Sequence, residues 1–320
     1  MNRKMIHIIV FVLILAVSYS SFQNPYTAGY IDSLKESAEM VSGQKDPLYQ
    51  EIKEKAPEFN EKPIDARVDR VWKAIPGYNG KKVDIAKSFK KMKKDGVFDE
   101  QKLVFKEIPP EITLKDLPPA PVYKGNEEKK MVSFLINVAW GNEYIPDMLK
   151  TLKEYNIEAT FFLEGRWVKK YPELAKMIGE AGHEAGNHSH THADFKVISA
   201  AGARAEMEQA NEAIKAATGQ TPVWFAPPGG SYRDEIVKIA AEQDMGTVLW
   251  SVDTVDWKKP APQVILQRIN SKVHPGAMIL MHPTASTALA LEPMIKKLKA
   301  QGYSISTVSA LLNEKRHEAR

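Results

Sequence analysis

His183-Glu184-Ala185-Gly186-Asn187-His188-Ser189-His190-Thr191-His192 runs a short strand-like segment straight into three imidazoles. Strands that end in chemically active side chains point to an α/β fold, where working residues sit just beyond the carboxyl ends of the strands. The second half of the chain repeats the pattern. Segments 132–138, 159–163, 183–186, 223–226, 247–252, 277–281 and 303–308 read as short buried strands. Between them, 145–155, 172–180, 203–217, 234–242, 262–273 and 289–300 have helical spacing. Such alternation predicts parallel pairing with right-handed crossovers, in an open doubly wound sheet or an incomplete barrel.

The polar residues cluster where either architecture would use them. Besides Asn187 to His192, the fourth strand leads into Pro227-Pro228-Gly229-Gly230, the fifth into Asp253-Thr254-Val255-Asp256-Trp257 and the sixth into His282-Pro283. One shared pocket explains the convergence better than scattered surface residues do. His188 and His192 stand four apart, so a helical turn would put both imidazoles on one face, close enough to share a cation. A plain histidine-rich turn is the other reading; under the helical geometry His190 points elsewhere. Asp256 with His282 suits a general acid, because a carboxylate on an imidazole raises its basicity and holds its tautomer. An ordinary salt bridge would use the same two residues. Trp257 offers a flat apolar face for a sugar ring, or else core packing.

Composition and the first half of the chain narrow the setting. In 320 residues, 44 basic and 40 acidic side chains leave a net charge of +4, with no long basic stripe for a phosphate backbone, so nucleic acid is not an expected partner. The absence of cysteine removes disulfides, iron–sulfur clusters and thiol catalysis, leaving His, Asp and Glu as metal ligands. Arg3 and Lys4 precede an apolar run from Ile8 to Val17 and a small or polar exit from Ser18 to Ser21. That layout makes 1–21 a signal peptide or a retained anchor, with membrane contact only through this segment if it is uncleaved. The location expected is therefore secreted, or anchored at the outer face of the cytoplasmic membrane in the cell or spore envelope. Residues 22–107 read as a small α+β accessory region, 108–130 as a Pro/Lys-rich connector, 131–313 as the main domain and 314–320 as a charged tail.

From about Met131 to Leu312 the chain resembles the polysaccharide deacetylase, or NodB homology, domain. The motifs that carry the resemblance occur in order: Ala159-Thr160-Phe161-Phe162, Gly182-His183-Glu184, Asn187-His188-Ser189-x-x-His192, Pro227-Pro228-x-Gly230, Asp253-x-x-Asp256-Trp257 and Leu280-Met281-His282. The resemblance implies a distorted (β/α)7-type barrel that removes acetyl groups from N-acetylglucosamine polymers such as chitin and peptidoglycan. It also suggests a sporulation-associated subgroup of exported proteins from endospore-forming bacteria. Carried over residue by residue, it makes His282 and Asp256 catalytic, Trp257, Pro228 and Gly230 substrate-binding, and His188 and His192 ligands of a divalent metal such as zinc.

This chain departs from the family at three linked positions. Where the family carries an Asp-Asp pair after its first strand, the sequence reads Asn137-Val138. The first Asp of that pair is the family's base and the second completes a His-His-Asp metal site. Asn137 cannot take up a proton near neutral pH, and Val138 offers no ligand. Ala226 replaces the arginine that orients the base; without its carboxylate, a buried arginine would be an uncompensated charge. The expectation is an exported protein directed at cell-wall or spore-wall N-acetylglucosamine glycans, with lost or greatly reduced deacetylase activity and weak zinc binding. The alternative is an active metal-dependent N-deacetylase in which Glu143, Asp194 or Asp253 replaces the missing carboxylates. A third class is a structural or partner-binding protein that acts through residues 30–125.

Overall fold

Eight consecutive residues without an exposed side chain, Met131–Val138, form the central strand β1. Their side chains alternate between two apolar layers, as strand geometry requires. Val132, Phe134, Ile136 and Val138 join the larger cluster with the surrounding helices, whereas Met131 and Leu135 face a second cluster with Phe162, Ala226 and Met278. The computed structural model describes residues 2–22 and 46–316. Residues 23–45 of the accessory region and 317–320 of the charged tail lie outside the described residues.

Beyond β1 the strands are Thr160–Leu163 (β2), Glu184–Asn187 (β3), Trp224–Phe225 (β4), Gly246–Thr247 (β5), Val252–Asp253 (β6), Met278–Met281 (β7) and Ser304–Ser306 (β8). The helices between them are Ile145–Glu154 (α1), Gly165–Lys170 (α2), Pro172–Glu180 (α3), Ala200–Thr218 (α4), Asp234–Glu242 (α5), Pro262–Lys272 (α6), Ala285–Ala300 (α7) and Val308–Leu312 (α8). The sheet runs β6-β7-β1-β2-β3-β4-β5, with β8 paired to the start of β1. Every pairing in it is parallel. Parallel order sends all carboxyl ends to one rim, which is where the loops carrying His188, Ala226, Asp256 and His282 emerge.

Three readings of the sequence change. The strand expected at 247–252 is divided into β5 and β6, and Val122 occupies the break: its N–H donates to the Thr247 carbonyl at 2.9 Å and its carbonyl accepts from the Leu249 N–H at 2.8 Å. Next along the chain, the Gly125 N–H donates to the Gly276 carbonyl at 2.8 Å, and Lys129 is buried with its ammonium on the carbonyls of Ala310 and Asn313. The proline-rich stretch read as a connector is thus bound into the barrel edge, because its backbone and Lys129 satisfy acceptors there. The third change is α2, whose six residues are too short for periodicity to reveal.

By contacts, residues 62–80 and 107–320 make one unit, and residues 1–61 and 81–106 another. In the second unit, the helix Pro47–Phe59 starts at Asp46, whose carboxylate accepts from the Leu48 N–H, and the helix Ile85–Met92 starts at Asp84 in the same manner. Ile52, Ala56, Val83, Phe89, Met92 and Leu103 close its small core. The Arg3–Phe22 segment is helical. Among the described residues, no helix is long and apolar enough to cross a membrane.

Candidate active site

The imidazole pair is made by a turn, not by a helix. Ser189 (φ 64°) and His192 (φ 58°) adopt left-handed backbone, which reverses the chain after β3 and brings the His188 and His192 rings to 5.2 Å in an edge-to-face contact. Single residues with side chains in this region cost of order 1 kcal/mol each, so the turn needs outside support. Glu206 on α4 supplies it. Its carboxylate accepts the N–H groups of His190 and Thr191 at 2.9 and 2.7 Å and the Thr191 hydroxyl at 2.8 Å. Asn187 accepts from the Ser189 N–H at 2.8 Å and donates to the Met207 carbonyl and to Asn211 Oδ1. His190 is buried with its Nδ1 unpartnered, on the side of Gly165.

His188 is fully buried and its Nδ1–H donates to the Ala226 carbonyl at 2.7 Å. A carbonyl can only accept, so the proton is on Nδ1 and the Nε2 lone pair is free. Burial, then the nearby His192 and His282 imidazoles, push the His188 pKa down to about 3, against the opposing Ala226 bond. Burial lowers His192 as well. Both rings are neutral at physiological pH, the state in which an imidazole binds a cation.

A two-imidazole start is not a complete metal site. Catalytic zinc takes three protein ligands and keeps one position for water. The third family position is Val138, whose side chain lies in the outer apolar cluster. Among the described residues, no group of three or more His, Asp or Glu side chains is placed to hold a metal ion. The three proposed replacements are engaged elsewhere or exposed. Glu143 is exposed in the turn Asn142–Tyr144. Asp194 accepts from the Ser231 hydroxyl and the Lys196 N–H. Asp253 accepts from the Val255 N–H at 2.7 Å. The donor set therefore does not fit a catalytic metal.

The opposite wall is complete. Asp256, fully buried after β6, accepts three hydrogen bonds: from the His282 N–H at 2.6 Å, from His282 Nδ1–H at 2.8 Å and from the Thr287 hydroxyl at 2.6 Å. Thr284 in turn caps α7 by accepting from the Thr287 N–H. This network holds the His282 ring with its proton on Nδ1 and leaves Nε2 outside the bonds to Asp256. Val255 (φ 53°) and Lys259 (φ 52°), both left-handed, bracket the turn Asp256–Lys258 and hold Trp257 out at 53 % exposure. His188 follows β3 and His282 follows β7 of the same parallel sheet, so both walls rise from one carboxyl rim, on either side of β1 and β2.

Asn137 ends β1 on the inward side, is 3 % exposed and has an Oδ1 with no hydrogen-bond partner. Pro228 is buried, and Gly230 (φ 68°) lies against the Trp250 ring, where a Cβ would come within 3.0 Å. Neither shows a hydrogen bond that marks a ligand position. Sequence reasoning missed Glu206, Thr287 and Trp140. Trp140 stacks on His282, ring centroids 5.6 Å apart and planes 8° apart. Its position beside Asn137-Val138 was the available signal, since an aromatic residue in a strand-end loop has few packing partners of its own.

A model of the polysaccharide deacetylase family matches residues 124–248. An uncharacterised Bacillus subtilis protein, YlxY, is 49 % identical over 316 residues, 99 % of each chain. The peptidoglycan-N-acetylmuramic acid deacetylase PdaA of the same organism is 33 % identical over 198 residues, covering 60 % of this chain and 75 % of that one.

The chain belongs to the polysaccharide deacetylase family.

The solved structures agree with the fold and carry a further point. A CE4 family pseudoenzyme from Bacillus anthracis superposes with a TM-score of 0.82 at 53 % identity, over 85 % of this chain and 97 % of that one. A mutant of that pseudoenzyme, described as having restored enzymatic activity, matches at 52 % identity with the same TM-score, over 85 % of this chain and all of that one. The curled parallel sheet with its outer helices is therefore the deacetylase fold of this family.

Proposed function

We propose that this protein is an exported, envelope-directed member of the polysaccharide deacetylase family that retains a groove for N-acetylglucosamine glycan and has lost metal-dependent deacetylation. One observation carries the reading. At the end of β1, the base position holds the amide of Asn137 and the metal position holds Val138, packed among helix side chains. Neither group can deprotonate water, and no other described carboxylate joins His188 and His192. The pseudoenzyme character of the Bacillus anthracis relative supports the same conclusion.

On this reading His282 and Asp256 persist as a polar wall and Trp257 as a stacking face, with Pro228 and Gly230 shaping the adjoining loop. The peptidoglycan deacetylases among the relatives support a wall glycan as the ligand. Arg3, Lys4 and the apolar run behind them support export, and the Bacillus relatives support the envelope of an endospore former. The test is mass spectrometry of N-acetylglucosamine oligomers and peptidoglycan fragments incubated with the protein and added zinc. No loss of acetyl is expected. Turnover that disappears in His282→Ala would overturn the proposal.

A further inference from the structure

The parallel sheet has a second rim, and two side chains there are placed for chemistry. Ser251 directly precedes β6, and His274 lies in the turn between α6 and β7, so both stand at the amino ends of the strands, away from His188 and His282. The His274 Nδ1–H donates to the Pro275 carbonyl at 2.8 Å, which leaves the Nε2 lone pair to accept from the Ser251 hydroxyl at 3.0 Å. A hydroxyl on an imidazole whose other nitrogen is held by a third group is the arrangement that activates a serine.

We propose that Ser251 and His274 form a nucleophile–base pair at the amino rim, a second reactive centre that takes the acyl group of a carboxylic ester. Ser251 Oγ bonds to the ester carbonyl carbon while its proton passes to His274 Nε2. The bond from that carbon to the alkoxy oxygen then breaks, and the imidazolium returns the proton to the departing alkoxide as the alcohol. Acyl-Ser251 remains, and water, deprotonated by the same nitrogen, hydrolyses it to the carboxylic acid. The Met278 N–H, 3.3 Å from Ser251 Oγ, stays on that oxygen as it gives up its proton. One backbone donor on the nucleophile is less than an oxyanion hole, so the geometry suits an ester and not an amide, whose poorer leaving group demands more stabilisation.

The backbone fixes both partners in advance. The Ser251 N–H donates to the Met278 carbonyl at 3.1 Å, and the Ala277 N–H closes the His274 turn on the His274 carbonyl at 3.0 Å. Gly276 donates to the Met131 carbonyl at 2.9 Å and accepts from the Gly125 N–H at 2.8 Å. Its φ is 79°, and a Cβ there would come within 2.7 Å of the Gly125 carbonyl oxygen, so the turn is locked against the neighbouring chain. Ser251 and His274 are both part-buried, neither sealed in the core nor free in solvent. The Trp72 ring lies 6.4 Å from His274, centroid to centroid, and supplies an apolar wall beside the base.

The test treats the full chain with an alkyl fluorophosphonate and, separately, with p-nitrophenyl acetate, and locates the adducts by peptide mass spectrometry. Both reagents should modify Ser251 in the native chain and not in the urea-unfolded one. His274→Gln, checked for folding by its thermal melt, should slow the modification by about 10² to 10⁴, the scale of general-base assistance. Because the pair lies at the rim opposite His282, the reaction should persist in His282→Ala, which separates it from any deacetylation in the groove. If neither reagent modifies Ser251 in the native wild type, or native and unfolded chains react alike, the contact is an ordinary hydrogen bond and the proposal is overturned. A folded His274→Gln that reacts at the wild-type rate overturns it equally. The site of modification is read on the wild-type chain, so a poorly folded variant does not decide the outcome.

Discussion

Restoring the three lost groups together, by Asn137→Asp, Val138→Asp and Ala226→Arg, should convert a metal-indifferent protein into a metal-stabilised one. Val138 is fully buried in the outer apolar cluster, so Asp there loses the burial of a Val side chain and places a carboxylate without a partner. Those two effects together should cost roughly 3 kcal/mol in the metal-free variant. Zinc then supplies the missing partner: ligand at about a hundred times its Kd adds ~2.7 kcal/mol to the folded state. For a unit of this size that is a rise in Tm of roughly 5–10 °C, against little change in the wild type. The assay is thermal unfolding with zinc or chelator, run beside mass spectrometry of N-acetylglucosamine tetramer. A restored base should bring deacetylation above background by about 10² to 10⁴, the usual scale of general-base assistance. A triple variant that folds yet shows neither the zinc-dependent Tm rise nor turnover would refute the view that these three positions account for the lost chemistry.

Three further outcomes follow from the geometry. Zinc should bind the wild type weakly in a calorimetric titration, with the residual signal lost in His188→Ala or His192→Ala; tight stoichiometric binding would reveal a third ligand. The His188 and His183 pKa values are depressed to about 3 and about 4, chiefly by burial, so both are neutral when folded and protonate on unfolding below about pH 6.5. Unfolding free energy should accordingly fall as pH drops from about 6.5 toward 4, by up to ~1.4 kcal/mol per pH unit for each ring, and His188→Asn should flatten that slope in urea titrations. A pH-independent stability across that window would contradict the burial of these rings. Gly141→Ala should destabilise by roughly 2–4 kcal/mol in urea melts, because the left-handed backbone and the Pro283 carbonyl both oppose a Cβ; a neutral effect would mean the two loops are not in contact.

Much of the architecture was legible from periodicity. Long buried runs such as 132–138 and helices such as 234–242 have enough residues for their period to emerge, and they appear with nearly the same bounds in β1 and α5. Short elements were not legible for the opposite reason: β5 and β6 have two residues each and α2 has six. The His188–His192 contact was anticipated, but from a helical turn that does not exist. The left-handed Ser189 and His192 are imposed by Glu206 and Asn187, and no local propensity announces them.

The chain's chemistry was determined by the sequence alone, because chemistry depends on which functional groups are present. An amide at Asn137, an alkyl group at Val138 and a methyl at Ala226 cannot act as base, ligand or guanidinium in any fold. Tertiary structure alone decided which surviving groups stand together. Trp140 reaches His282, Thr287 reaches Asp256 and Val122 fills the gap between β5 and β6 across separations of 142, 31 and about 125 residues in sequence, the last two visible only as hydrogen bonds. Such contacts are selected by the packing of the whole sheet and its outer helices, since parallel strands bring their carboxyl ends to one rim whatever their distance along the chain.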